Sequence, residues 1–277
     1  MSGCPARLLV AGIAVAATLL TGCTPPADVG ERPDNPHLTV PTVAVQESAA
    51  TPLPAAPDPT TTGTPYNVPP PPAPPLPFAL NLYEEGAFVP QYTFDWCVAA
   101  SIQMAHNLAR HNDPSDGTWA GREQQSELWN MARARSTDAF NGANPFGWAA
   151  VLTEVGMGPY SVVSIPDYGD ALRAAAKALR TTGRPVGLVM WSGRHAWVMS
   201  GFESVGDPKL TDDFLVTGIR VLDPLYPYGS GQWGPSPEPG SLLDPGQLAA
   251  QFVVREPRRW SSGLPAGYLL VLPLPQA

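Results

Sequence analysis

The sequence predicts an α+β domain, a helical first part followed by an antiparallel sheet, and three observations predict it. Apolar residues recur at helical spacing in successive segments between residues 96 and 181. Beyond residue 184 the pattern changes to short apolar runs bounded by Gly, Pro and Asp. All eight tryptophans lie after Phe78, so residues 78–277 carry the core of one domain of ordinary size.

Taken in order, Val98, Ile102, Ala105 and Leu108 form one apolar stripe and predict a helix over 96–111, with Asp95 as its N-cap. EQQSELWNMARAR (123–135) reads as a second helix and NPFGWAAVLTEV (144–155) as a third. A fourth spans 168–181 and is closed by Gly183, a residue suited to a left-handed C-cap. The strands follow as PVGLVMW (185–191), HAWVMSGF (195–202), FLVTGIRVL (214–222) and YLLVLPL (268–274). Helices first and strands after imply segregated halves. YPYGSGQWGPSPEPG (226–240) reads as a long connecting loop.

The first 77 residues have a different composition. Arg7, the apolar run Leu8–Leu20 and the small residues before Cys23 read as a secretory signal over 1–22, too short for a spanning helix. The ending Leu20-Thr21-Gly22-Cys23 resembles the lipobox of bacterial lipoproteins, which implies lipid on Cys23 and an extracytoplasmic domain anchored to the cell membrane. Residues 24–77 hold 17 prolines among Thr and Ala and cannot bury enough surface to fold; residues 23–77 read as a tether. With 16 basic against 24 acidic side chains and no Lys/Arg stripe, the chain lacks the footprint that nucleic-acid binding requires.

Of three cysteines, Cys4 falls in the signal and Cys23 at its end, so Cys97 is the one thiol of the folded part. At a helix start a thiolate meets the positive end of the helix dipole. Free backbone N–H groups there can also donate to a developing oxyanion. His195 is the histidine best placed as its base, since His37 lies in the tether and His106 and His111 are more than two turns along the first helix. If 195–202 and 214–222 pair as a hairpin across 203–213, His195 faces Asp223, a carboxylate able to fix the imidazole tautomer. The bland alternative is a buried structural cysteine and a hydrogen-bonded strand histidine. No metal-ligand spacing and no G-x-S-x-G elbow occur.

Gln91, then WCVAASIQM, GRHAWVMSGF and VLDP, in that order over roughly 88–225, resemble the papain-like cysteine peptidases, and within them the C39-like group. The resemblance implies a papain-like fold in which Cys97 is the nucleophile, His195 the base and acid, Asp223 the orienting group and Gln91 an oxyanion-hole donor. The flank Asp95-Trp96-Cys97-Val98-Ala99 departs from the Asp-Cys-Gly-Pro common in that group, which bears on specificity. The implied activity is that of a cysteine peptidase or amidase working through a thioester. It calls for no cofactor and no metal. Its partners are a peptide or protein substrate and, through Cys23, a membrane, and the chain is read as a monomer. The alternative is a papain-like lipoprotein that binds or scaffolds without turnover.

Overall fold

A seven-stranded sheet, antiparallel at every pairing, carries the domain. The computed structural model describes residues 75–109, 117–137, 142–258, 261 and 263–276. The expected signal over 1–22, Cys4, Cys23, His37, His111 and most of the tether lie outside the described residues.

The elements are β1 (Pro77–Asn81), α1 (Cys97–Ala109), α2 (Arg122–Ala134), α3 (Pro145–Leu152), β2 (Tyr160–Ile165), α4 (Tyr168–Thr182), β3 (Val186–Met190), β4 (His195–Val205), β5 (Leu215–Leu222), the two-residue strands β6 (Gly229–Ser230), β7 (Gly234–Pro235) and β8 (Leu242–Leu243), α5 (Pro245–Ala249) and β9 (Tyr268–Pro273). Along the sheet the order is β2-β9-β3-β4-β5-β8, while β6 and β7 form a separate two-stranded ribbon. The α+β class holds, but the halves are less segregated along the chain than the sequence predicts. β1 precedes every helix, and β2 falls between α3 and α4.

β4 is the spine. Its first half pairs with β3 through Val186↔Met199 to Met190↔His195, and its second half pairs with β1 through Asn81↔Gly201 to Pro77↔Val205. β5 runs antiparallel along it from Val198↔Leu222 to Val205↔Leu215. α1 packs against β4 with Val98, Ala99, Ile102, Met104, Ala105 and Leu108 all buried, and Ser101 Oγ donates to the Ala196 carbonyl at 3.4 Å. At about 25 cal/mol per Å² of apolar area, this buried face holds the helix start against the start of β4.

Two glycines allow the close packing of α3. A Cβ on Gly147 would fall 2.0 Å from the Ala132 carbonyl of α2, and one on Gly187 of β3 would fall 2.6 Å from the Trp148 ring. Trp148, 1% exposed, thus seats directly on the sheet beside the first turn of α1. α3 begins with a well-formed cap in which Asn144 accepts from the Phe146 and Gly147 amides. It ends earlier than predicted, at Leu152, where the chain opens into a π-type turn (Thr153–Met157) with Gly156 at φ +85°. α4 ends as expected at a left-handed Gly183, and at its start Asp167 accepts from Asp170 N.

Candidate active site

Hairpin pairing of β4 with β5 sets the site. Because Val198 is opposite Leu222, His195 and Asp223 come to the same end of the sheet. His195 Nε2 lies 2.6 Å from Asp223 Oδ1, and both side chains are buried, Asp223 completely. Asp223 is held from two further directions and its neighbour from a third. Its Oδ1 also accepts from Leu225 N at 2.8 Å, its Oδ2 accepts from the Ser236 hydroxyl, and the carbonyl of the next residue, Pro224, accepts from Gln91 N at 2.8 Å.

With Nε2 taken by Asp223, the other ring nitrogen of His195 is left for the Cys97 thiol, which lines the same cavity. Burial pulls the His195 pKa down, but the hydrogen bonds to Asp223 and Cys97 and their charges outweigh it and raise it from 6.5 to about 9. Trp191 stacks on the imidazole with ring centroids 4.1 Å apart and planes 23° from parallel. Gln251 fixes that indole from both ends, accepting Trp191 Nε1 on its side chain at 2.9 Å and Trp191 N on its carbonyl at 3.0 Å. The turn carrying Trp191 is strained, with Trp191 at φ 55° and Ser192 at φ 56°, conformations costly for residues with a Cβ.

Cys97 is the first residue of α1 and half-buried. The predicted N-cap is displaced: the helix starts one residue later than read, Ala100 N donates to the Trp96 carbonyl, and the Asp95 carboxylate accepts from the Thr93 hydroxyl at 2.8 Å. The first helical N–H groups, that of Cys97 leading, have no intrahelical acceptor. Gln91 sits in the turn before the helix. Its Nε2 donates to the Thr93 and Phe94 carbonyls, each at 2.9 Å, and its Oε1 is buried with no hydrogen-bond partner. The turn itself is anchored from behind by buried Gln125, which accepts from Tyr92 N and donates to Gln103 and to the Pro90 carbonyl.

Cys97 and His195 open onto a cavity of about 430 Å³. Its walls come from the start of α1, the Gly142–Pro145 segment with Trp148, the β3–β4 turn, and Arg255, Arg258, Ser261 and Leu264. The structure therefore brings Cys97, His195 and Asp223 together and puts Gln91 on the adjoining turn. His106 is not at this site; it stacks on Trp119 at 3.8 Å. Among the described residues there is no group of three or more His, Cys, Asp or Glu able to hold a metal, and no helix long and apolar enough to cross a membrane. Reading the sequence did not find Ser236, Trp191 or Gln251. Trp191 carried a faint signal, four residues before His195 at the mouth of a Ser-Gly turn, and the other two carried none.

No protein-family model matches the sequence, nor does any curated protein. Among solved structures the chain is similar to UfSP from C. elegans, with a TM-score of 0.37 and 16% identity, over 65% of this chain and 30% of that one. This chain thus matches less than a third of the length of UfSP.

Proposed function

We propose that this protein is a cysteine-dependent acyl hydrolase of papain-like type, a peptidase or amidase. The observation that carries the reading is the buried His195–Asp223 pair at 2.6 Å, sharing one cavity with Cys97 at the first turn of a helix. Each group then has a chemical task. The Cys97 sulfur attacks the substrate carbonyl carbon while the imidazolium of His195, kept protonated by Asp223, holds the thiolate. The oxyanion accepts from the Cys97 N–H, and Gln91 adds a second donor when its amide exchanges the Thr93 and Phe94 carbonyls for the substrate oxygen. As the C–N bond breaks, His195 gives its proton to the leaving amine. Water, deprotonated by the now neutral His195, attacks the thioester; the acid leaves and the thiol is restored.

A screen of the full chain against fluorogenic peptides and amides tests this, with Cys97→Ser as the control. Hydrolysis that needs the thiol supports the reading. Hydrolysis undiminished in Cys97→Ser overturns it.

We further propose that the protein works outside the cell membrane, held there by lipid on Cys23 and spaced from it by the proline-rich stretch. The Leu20-Thr21-Gly22-Cys23 ending supports this. Fractionation of cells expressing Cys23→Ala would show release from the membrane; retention there would contradict the anchor.

A further inference from the structure

The cavity beside Cys97 is apolar over most of its wall but has three arginines in its lining. Arg194, Arg255 and Arg258 all line it, in a chain where acidic side chains outnumber basic ones 24 to 16. Among the described residues the single carboxylate of the lining, Asp95, is on the α1 side and is engaged by Thr93.

The three arginines differ in what they already hold. Arg255 is 2% exposed, its guanidinium donates to Ser261 and to the Leu264 and Pro265 carbonyls, and its stem lies against Gly193. It shapes the wall. Arg194 is exposed, directly before His195, and Arg258 is half-buried with one long contact, 3.4 Å, to the Ser192 hydroxyl. Among the described residues neither has a carboxylate within ion-pair distance. Four arginines elsewhere are paired with carboxylates, Arg135 with Glu154, Arg173 with Asp170, Arg180 with Asp207 and Arg220 with Glu203, while Arg122 and Arg133 lie over aromatic rings and Arg184 donates to backbone carbonyls.

We infer that Arg194 and Arg258 form a subsite for a carboxylate of the substrate, so that the enzyme prefers amides and peptides bearing an acidic group near the scissile bond. The inference rests on the hydrolase reading above and adds its substrate class. A guanidinium is the side chain best matched to a carboxylate, and a pair of them beside an apolar wall suits an aliphatic stem ending in a charge. The wall residues Val98, Trp148, Val189 and Leu264 would cover such a stem. A cavity of about 430 Å³ suits a short side chain or chain end.

Alkylation of Cys97 in the full chain by iodoacetate and by iodoacetamide tests the subsite without a known substrate. The two reagents differ in charge, and His195 acts on both in every variant. The iodoacetate-to-iodoacetamide rate ratio should fall roughly tenfold in Arg194→Gln/Arg258→Gln. It should hold in Arg173→Gln, which removes a surface cation outside the cavity. A fast-reacting thiol whose ratio ignores the two cavity arginines overturns the subsite and leaves the hydrolase reading standing. A thiol that neither reagent modifies faster than a free cysteine overturns both. Peptides differing by Glu against Gln, and by a free against an amidated C-terminus, then separate a side-chain carboxylate from a terminal one. Cleavage that favours neither acidic form overturns the subsite.

Discussion

The two sides of the candidate site are built differently. On the base side, His195 and Asp223 are buried; Leu225 and Trp191 fix them from close by in sequence, and Ser236 and Gln251 from farther along the chain. On the nucleophile side, Cys97 is half-buried at a helix end, and the turn before it carries Phe94 87% exposed at the rim of the cavity. One side is over-determined and dry, the other open to a substrate. A general base must keep one tautomer and one orientation through the reaction, whereas a nucleophile must be reached.

The contrast is broken most severely at the carboxylate. Asp223→Asn keeps the shape but removes the charge that stabilises the imidazolium, and kcat should fall by about 10³ to 10⁴. Asp223→Ala leaves His195 buried beside an empty site and should also destabilise the fold by about 3 kcal/mol, read by denaturant unfolding. If Asp223→Asn keeps full activity, the base side is a structural device only.

Gln91→Ala sharpens the other side. As an oxyanion donor its loss should lower kcat about 10²-fold with KM little changed. As a staple of the turn through Thr93 and Phe94, its loss would lower thermal stability and leave kcat within a few-fold.

Ser236→Ala gives a smaller effect, roughly tenfold or less in kcat, because Asp223 keeps the Leu225 amide and His195. A positioning role predicts that the pH profile shifts as well and that Ser236→Thr rescues it.

The smallest effect is on stability against pH. The folded His195 pKa is raised above its unfolded value, so its contribution is fully present below about 6.5 and is lost as the pH rises through about 9. Thermal stability should decline across that window, and His195→Gln should flatten this part of the curve.

Much of the frame was legible in the sequence because the signals were local. α4 carries its own caps in Asp167 and Gly183, β3, β4 and β9 read as apolar runs because each is buried along nearly all its length, and β5 does so although Leu215 and Thr217 are exposed. β1 and β2 were not legible. β1 is five residues directly after a proline run and is never fully buried, and β2 (YSVVSI) owes its strand state to β9, over a hundred residues away, with which it pairs along its full length. The site divides the same way. Cys97 stands out as an unpaired thiol, and His195 and Asp223 follow from a hairpin. Ser236 reaches Asp223 only because a Gly- and Pro-rich loop folds back on the sheet, and no spacing rule encodes that. The paired Asp95 was a misreading of the same kind: its neighbour Thr93 competes for the carboxylate and wins.

The most direct test of the central claim is the rate at which iodoacetamide modifies Cys97 near pH 6 in the full chain, beside His195→Ala and the unfolded protein. An imidazolium-held thiolate should react at least about tenfold faster than the thiol of the unfolded chain, and His195→Ala should abolish the difference. A Cys97 that reacts no faster than in the unfolded protein, or equally fast without His195, would contradict the account.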